Sequence, residues 1–133
     1  MNHKGTKDTK KRSDILSNQI IASAIEVHKT LGPGLLETVY EQALCYELSQ
    51  KKIPFERQKG LPVAYKDVNL GCNFRLDILV DNLVIVELKA VERMEPLFDA
   101  QLLTYLKLSK LWLGLLLNFN VPIMKHGIKR IVN

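Results

Sequence analysis

Hydrophobic side chains recur at helical spacing in three parts of the chain, and this pattern predicts three α-helices. The predicted helices cover residues 13–31, 36–50 and 96–110. Ser13 or Asp14 would cap the first helix at its start. The stretch Gly32-Pro33-Gly34 ends it, because glycine and proline both interrupt helices.

Shorter runs of β-branched and apolar residues predict strands. They cover residues 55–59, 61–65, 74–80, 83–89, 111–119 and 128–132. Asp81-Asn82 predicts a hairpin turn, and the nearly unbroken apolar run 111–119 predicts a strand buried on both faces. The last run predicts an edge strand. The order α-α-β-β-β-β-α-β-β predicts a single α/β domain with a central mixed β-sheet flanked by helices.

Length and composition limit the class of protein. The chain has 133 residues, of which 47% are hydrophobic and 25% charged, as expected of one globular domain. It has no run of about 18 apolar residues and no apolar signal-peptide core, so neither a membrane-spanning helix nor export is expected. Two cysteines, Cys45 and Cys72, are expected to stay reduced in a cytoplasm.

The formal charge of +5 is unevenly distributed. Residues 1–12 carry +4, whereas residues 13–120 carry −2. We expect residues 1–12 to form a flexible basic tail and residues 13–133 to form the domain. A basic isoelectric point is therefore weak support for nucleic-acid binding.

Acidic and basic side chains converge on the predicted hairpin. If the hairpin turns about Asn82, Asp77 lies opposite Glu87, with Lys89 on the same face. That face also carries Arg75, Leu79 and Ile85, and the other face carries Leu76, Ile78, Val80, Val84, Val86 and Leu88. Converging carboxylates suit a hard divalent cation such as Mg²⁺. The alternative is a solvated ladder of ion pairs, Arg75 with Asp77 and Glu87 with Lys89.

Three motifs together carry a family resemblance. Asp77 followed by Glu87-Leu88-Lys89 resembles the PD-(D/E)XK nuclease superfamily, although Leu76 replaces the proline of the name. Gln101 and Tyr105 on the next helix resemble the helix motif of its RecB-like branch. The run Gly34-Leu35-Leu36-Glu37-Thr38-Val39-Tyr40 resembles the signature of the GxxExxY family.

The resemblance implies a restriction-endonuclease-like fold and a role for each matching residue. Asp77 and Glu87 would bind Mg²⁺ or Mn²⁺, with the Leu88 carbonyl as a third ligand and Glu37 binding directly or through water. Lys89 would be the catalytic lysine, and Gln101 and Tyr105 would line the site and contact substrate phosphate or a ligand water.

Each residue outside the hairpin also has a structural interpretation. Glu37 would complement the dipole of the second helix. Gln101 and Tyr105 would lie at the edge of the core with their polar ends in water. His28, on an apolar helical stripe, is expected to be packed and hydrogen-bonded rather than a ligand.

Two hypotheses of function follow. The first is a Mg²⁺-dependent nuclease that hydrolyses phosphodiester bonds of DNA or RNA by metal-activated water. The alternative is a catalytically inactive nuclease-fold module that binds nucleic acid or a protein partner. A homodimer is a further hypothesis, because a second subunit would help so small a domain to hold a duplex.

Overall fold

Three helices and a five-stranded sheet make up the fold. The computed structural model describes residues 6–133, except for the side chains of Cys72 and Asn73. The helices are α1 (Lys7–Leu31), α2 (Glu37–Gln50) and α3 (Pro96–Ser109). The strands are β1 (Phe55–Tyr65), β2 (Val68–Val80), β3 (Val84–Lys89), β4 (Leu113–Asn118) and β5 (Ile128–Val132), and a short 3₁₀-helix (Met124–Gly127) precedes β5. No helix in this part of the chain is long and apolar enough to cross a membrane.

The strands lie in the sheet in chain order, β1-β2-β3-β4-β5. Neighbouring strands are antiparallel except β3 and β4, which run parallel because α3 crosses over between them. The predicted α/β class, with a mixed sheet flanked by helices, is confirmed. Strand β4 is buried along its whole length and β5 is an edge strand, as the sequence predicts.

Two apolar cores hold the helices on opposite faces of the sheet. The helices α1 and α2 pack on one face, against β2, β3 and β4 residues that include Ile78, Val86 and Leu115. The helix α3 packs on the other face, where Leu102 and Leu106 meet Ile85 and Leu116. The predicted face of Leu76 is wrong, because Leu76 packs with the α3 core.

The start of α1 also differs from the prediction. The helix begins at Lys7 rather than at Ser13 or Asp14, because the Thr6 side chain caps it by accepting the Thr9 N–H at 3.1 Å. Residues 7–12 are therefore helical rather than part of a flexible tail. The rest of the predicted tail, residues 1–5, lies outside the described residues.

The hairpins are longer than predicted. The two predicted strands 55–59 and 61–65 form the single strand β1, and β2 begins at Val68 rather than at Phe74. Asp81 and Asn82 both have positive φ, 50° and 54°, as a tight hairpin turn requires. This turn sets the register of β2 and β3.

Candidate metal and catalytic site

Asp77 and Glu87 lie opposite each other where β2 and β3 separate. The last paired residues before this point are Ile78 and Val86, so the register brings Asp77 and Glu87 together. Their carboxylates replace the missing main-chain pairing. The Glu87 carboxylate accepts the Asp77 N–H at 2.8 Å, and the Asp77 carboxylate accepts the Leu88 N–H at 2.8 Å. This crossed pair of hydrogen bonds fixes both side chains.

The two carboxylates are costly as anions in this position. Burial raises the pKa of Asp77, against the hydrogen bond from the Leu88 N–H, which lowers it. Burial and the nearby Asp77 raise the pKa of Glu87 from 4.5 to about 8. The side chain of Glu87 is only 8% exposed. The interpretation of Asp77 and Glu87 as part of a solvated ladder of ion pairs is therefore wrong. A cation between the two carboxylates would lower the free-energy cost of holding both as anions.

Lys89 lies beside the carboxylates at the end of β3. Its ammonium lowers the pKa values of both Asp77 and Glu87 by its positive charge. The ammonium also lies 4.3 Å from the centroid of the Phe98 ring, which places it over an aromatic face. The lysine main chain is fixed as well, since its carbonyl accepts the Phe119 N–H at 2.9 Å. The acid-acid-lysine set predicted from the sequence is thus brought together.

Glu41 is a buried acid of α2 that the sequence reasoning did not assign to the site. It is 6% exposed and accepts hydrogen bonds from Arg57 at 2.9 and 3.0 Å and from the Gln58 amide at 2.9 Å. Its charge raises the pKa values of Asp77 and Glu87. The helical spacing puts Glu41 on the same face as Glu37, but that spacing does not show which of the two is buried.

Glu37 is exposed at the first turn of α2. Its charge raises the pKa of Asp77, so it lies close enough to act on that carboxylate. It lines a shallow depression with Leu35, Leu36, Thr38 and Ala90. Within the described residues, no three side chains of His, Cys, Asp or Glu are arranged to hold a metal ion. The structure therefore does not gather Glu37, Asp77 and Glu87 into one three-carboxylate cluster.

Tyr40, the tyrosine of the Gly34–Tyr40 signature, has a structural position. It is fully buried and stacks on Phe119 with ring centroids 4.5 Å apart. Its hydroxyl donates to the Gly32 carbonyl at 2.6 Å and accepts the Leu35 N–H at 3.1 Å. These two hydrogen bonds fix the loop before α2. They thereby also fix the position of Glu37, the first residue of α2.

Gln101 and Tyr105 lie on α3, which packs on the opposite face of the sheet from α2. Burial and the negative charges of Glu87 and Asp77 raise the pKa of Tyr105, which places its ring near the carboxylates. Gln101 is exposed. It lines an open cavity with Tyr105 and residues that include Phe74. Tyr105 is thus brought near the carboxylates, and Gln101 shares the cavity beside it.

Two other polar residues have structural roles. His28 is buried and its Nε2 lies 2.7 Å from the Val121 carbonyl oxygen, so it is packed and hydrogen-bonded as expected. Burial raises the pKa of the Cys45 thiol to about 11, which keeps it protonated and unreactive near neutral pH.

A buried and a half-buried carboxylate with a lysine beside them, at the open end of a mixed sheet with helices on both faces, define a nuclease-like α/β domain. A family model described as the PD-(D/E)XK nuclease superfamily matches residues 14–131. The chain therefore belongs to the PD-(D/E)XK nuclease superfamily. No curated protein and no solved structure matched the chain. The resemblance to the GxxExxY family stays a prediction.

Proposed function

We propose that this protein is a divalent-metal-dependent nuclease that hydrolyses phosphodiester bonds. The observation that carries the proposal is the pair Asp77 and Glu87, held by crossed main-chain hydrogen bonds with Lys89 beside them. Superfamily membership supports a nuclease function. Mg²⁺ or Mn²⁺ is the proposed cofactor, and nucleic acid is the proposed substrate.

The donor set fits a hard cation. The Asp77 and Glu87 carboxylates face each other, and burial together with the charge of Asp77 makes ionisation of Glu87 unfavourable. Carboxylate oxygens are ligands that suit Mg²⁺. Asp77 and Glu87 would hold the ion, with the Leu88 carbonyl as a further ligand. When bound, the ion would supply Lewis acidity toward a phosphodiester oxygen and toward water.

The other residues act around the carboxylates. Lys89 would stabilise negative charge that develops on the phosphate, because its ammonium is the cation adjacent to both acids. Glu37, exposed at the start of α2, would reach the ion through water rather than directly. Tyr105 would contact the substrate phosphate from the α3 side, and Gln101 would do so from its exposed position on the same helix.

Cleavage of single- and double-stranded DNA and RNA with Mg²⁺ or Mn²⁺ tests the proposal. We expect cleavage that EDTA abolishes and that Asp77→Asn and Lys89→Ala each reduce by about 100-fold or more. The matched controls are Asp81→Asn in the hairpin turn and Lys107→Ala on α3, which should retain activity. Cleavage that survives both Asp77→Asn and Lys89→Ala would contradict the proposal.

The alternative is a module that binds nucleic acid or a protein without cleaving. The −2 charge of residues 13–120 favours the protein-binding form of this alternative, since strong sequence-independent grip on a duplex depends on positive charge. Binding of nucleic acid without cleavage under Mg²⁺, Mn²⁺ or other divalent ions would favour this reading over catalysis.

A further inference from the structure

A cavity of about 410 Å³ lies between the end of α1 and the chain that follows β4. One wall is formed by residues of α1 together with Gly32 and Pro33, and the other by residues 122–125. We call it the α1 cavity. Its volume is within the range of sites for small organic ligands. The proposed cleavage reaction uses none of the residues that line it.

The α1 cavity lies at the edge of the sheet that carries the candidate site. Strands β3 and β4 are parallel, so their carboxyl ends meet at this edge, where Lys89 pairs with Asn118. The Asn118 amide group ties the end of β4 to the chain after Lys89, because it bonds the main-chain N–H and carbonyl of Val91 at 3.1 and 3.0 Å. The chain that leaves β4 here then forms one wall of the cavity. Ligands of α/β sheets bind outside the carboxyl ends of the strands.

The α1 cavity is positively charged. Lys29 of α1 lies on one wall and Lys125 on the other, and no acidic side chain of the described residues lines it. Both lysines are exposed, and neither forms an ion pair within residues 6–133. Two ammonium groups suit a ligand with two negative charges. A phosphate monoester carries nearly two near neutral pH, whereas a phosphodiester carries one.

His28 brings a polar ring nitrogen to the same cavity. Its side chain is only 7% exposed and lines the cavity. Nε2 lies 2.7 Å from the Val121 carbonyl oxygen, which can only accept, so the ring hydrogen is assigned to Nε2. Nδ1 has no partner in the described part of the chain, where every fully buried side-chain nitrogen has one, so Nδ1 is open to the cavity. In the neutral ring, Nδ1 accepts a hydrogen bond from a hydroxyl or amino group.

Apolar side chains complete the walls of the α1 cavity. Ile25 and Ile123 are exposed and line it, and Met124 is buried behind them. Apolar walls with a few converging polar groups are typical of a site for an organic ligand rather than for a bare ion. The ligand that fits therefore has an apolar body, a doubly charged anionic group and a hydrogen-bond donor.

We infer that the α1 cavity binds a nucleoside phosphate monoester, as the terminal nucleotide of a nucleic-acid strand. Lys29 and Lys125 hold the phosphate, and the apolar walls contact the sugar and the base. A sugar hydroxyl or a base amino group donates to His28 Nδ1. That the strand also reaches Asp77 and Glu87 rests on the proposed function, whereas binding of the phosphorylated end does not.

Isothermal titration calorimetry in EDTA tests the inference without cleavage. The probes are a short single-stranded DNA with a 5′-phosphate, with a 3′-phosphate and with neither. A phosphate at one of the two ends should lower the dissociation constant by about tenfold or more. The double variant Lys29→Gln, Lys125→Gln should lose this advantage. The control Lys11→Gln, Lys107→Gln removes the same charge from exposed positions outside the cavity and should keep it.

Smaller probes identify what the α1 cavity recognises. Adenosine 5′-monophosphate should bind with the same dependence on Lys29 and Lys125, but more weakly than the phosphorylated strand. It should also change the ¹⁵N chemical shift of His28 Nδ1, which a purely structural histidine would not show. Tighter binding of the free nucleotide than of the strand would overturn the assignment to a strand end. Inorganic phosphate that binds as tightly as the nucleotide would overturn recognition of a nucleoside.

The inference fails if a terminal phosphate gives no advantage, or if the double variant keeps the advantage while circular dichroism shows it folded. This failure is distinguishable from failure of the proposed function. A protein that prefers phosphorylated ends in EDTA but cleaves nothing with Mg²⁺ or Mn²⁺ retains the cavity and loses the nuclease proposal. A protein that cleaves nucleic acid without any preference for phosphorylated ends retains the nuclease proposal and loses the cavity.

Discussion

Replacing Glu87 by glutamine should stabilise the metal-free protein, increasingly so as the pH rises. The native carboxyl keeps its proton up to a pKa of about 8, whereas the unfolded chain releases it near 4.5. The unfolded state therefore binds fewer protons between these values, and wild-type stability falls as the pH rises through this window. Glutamine is neutral at every pH and its side-chain oxygen can still accept the Asp77 N–H.

The magnitude follows from the width of the window. Each pH unit is a factor of ten in the protonation equilibrium, so the interval from 4.5 to about 8 corresponds to roughly 4–5 kcal/mol. That is a large part of the 5–15 kcal/mol typical of a domain. The advantage of Glu87→Gln should be small at pH 5 and should reach roughly 4–5 kcal/mol at pH 9, above both pKa values.

Urea denaturation in EDTA at several pH values measures this difference. Glu92→Gln is the control, because Glu92 is exposed and five residues further along the chain. Saturating Mg²⁺ should then stabilise the wild type more than Glu87→Gln, because the substitution removes one of the two proposed carboxylate ligands. A Glu87→Gln advantage that is the same at pH 5 and pH 9 would refute the argument that burial makes this carboxylate costly.

Three further substitutions test the packing around the site by urea denaturation. Tyr40→Phe removes the hydroxyl that bonds two main-chain groups of the loop before α2, and should cost about 1–3 kcal/mol; an unchanged stability would contradict its role in fixing that loop. Gly127→Ala should cost about 3 kcal/mol, because a Cβ there would overlap the Asn118 main-chain oxygen, whereas Gly60→Ala, with open space around it, should be nearly neutral. Equal effects of the two glycine substitutions would argue against that close approach. Arg57→Met leaves a buried carboxylate without its guanidinium and should cost about 2 kcal/mol, and a neutral result would show that the carboxylate is not buried as described.

Local patterns predict the hairpin at the site because its determinants are adjacent in the chain. Asp81-Asn82 tolerates the positive φ of a tight turn, and the turn fixes the register that sets Asp77 against Glu87. The sequence alone therefore predicts that the two carboxylates, one on each side of the hairpin turn, lie opposite each other. The lysine follows from the same strand, two residues after Glu87.

Local sequence patterns do not predict features that depend on contacts between distant parts of the chain. Gln58 adopts a left-handed φ of 49° opposite Asp77, and the strand pairing is interrupted there. Leu76, just beyond the interruption, packs on the α3 side, against the simple alternation. Glu41 is buried in a position where Arg57 and Gln58 reach its carboxylate from β1. No spacing within α2 contains that information.

The start of α1 shows the same limit. Lysines and an arginine over residues 7–12 give no apolar stripe, and the sequence favours a tail there. The helix includes them because Thr6 caps it and the packing of later elements holds its first turns. Arg12 lies 3.6 Å from Asp81, and the Lys10 ammonium lies 5.6 Å from the centre of the Trp112 ring.

Diffraction from crystals soaked in Mn²⁺ tests the central claim most directly. We expect an anomalous difference peak between the carboxylates of Asp77 and Glu87, and we expect it to be lost in crystals of Glu87→Gln. A well-ordered site in which Mn²⁺ binds elsewhere, or not at all, while both carboxylates keep their main-chain hydrogen bonds, would contradict it.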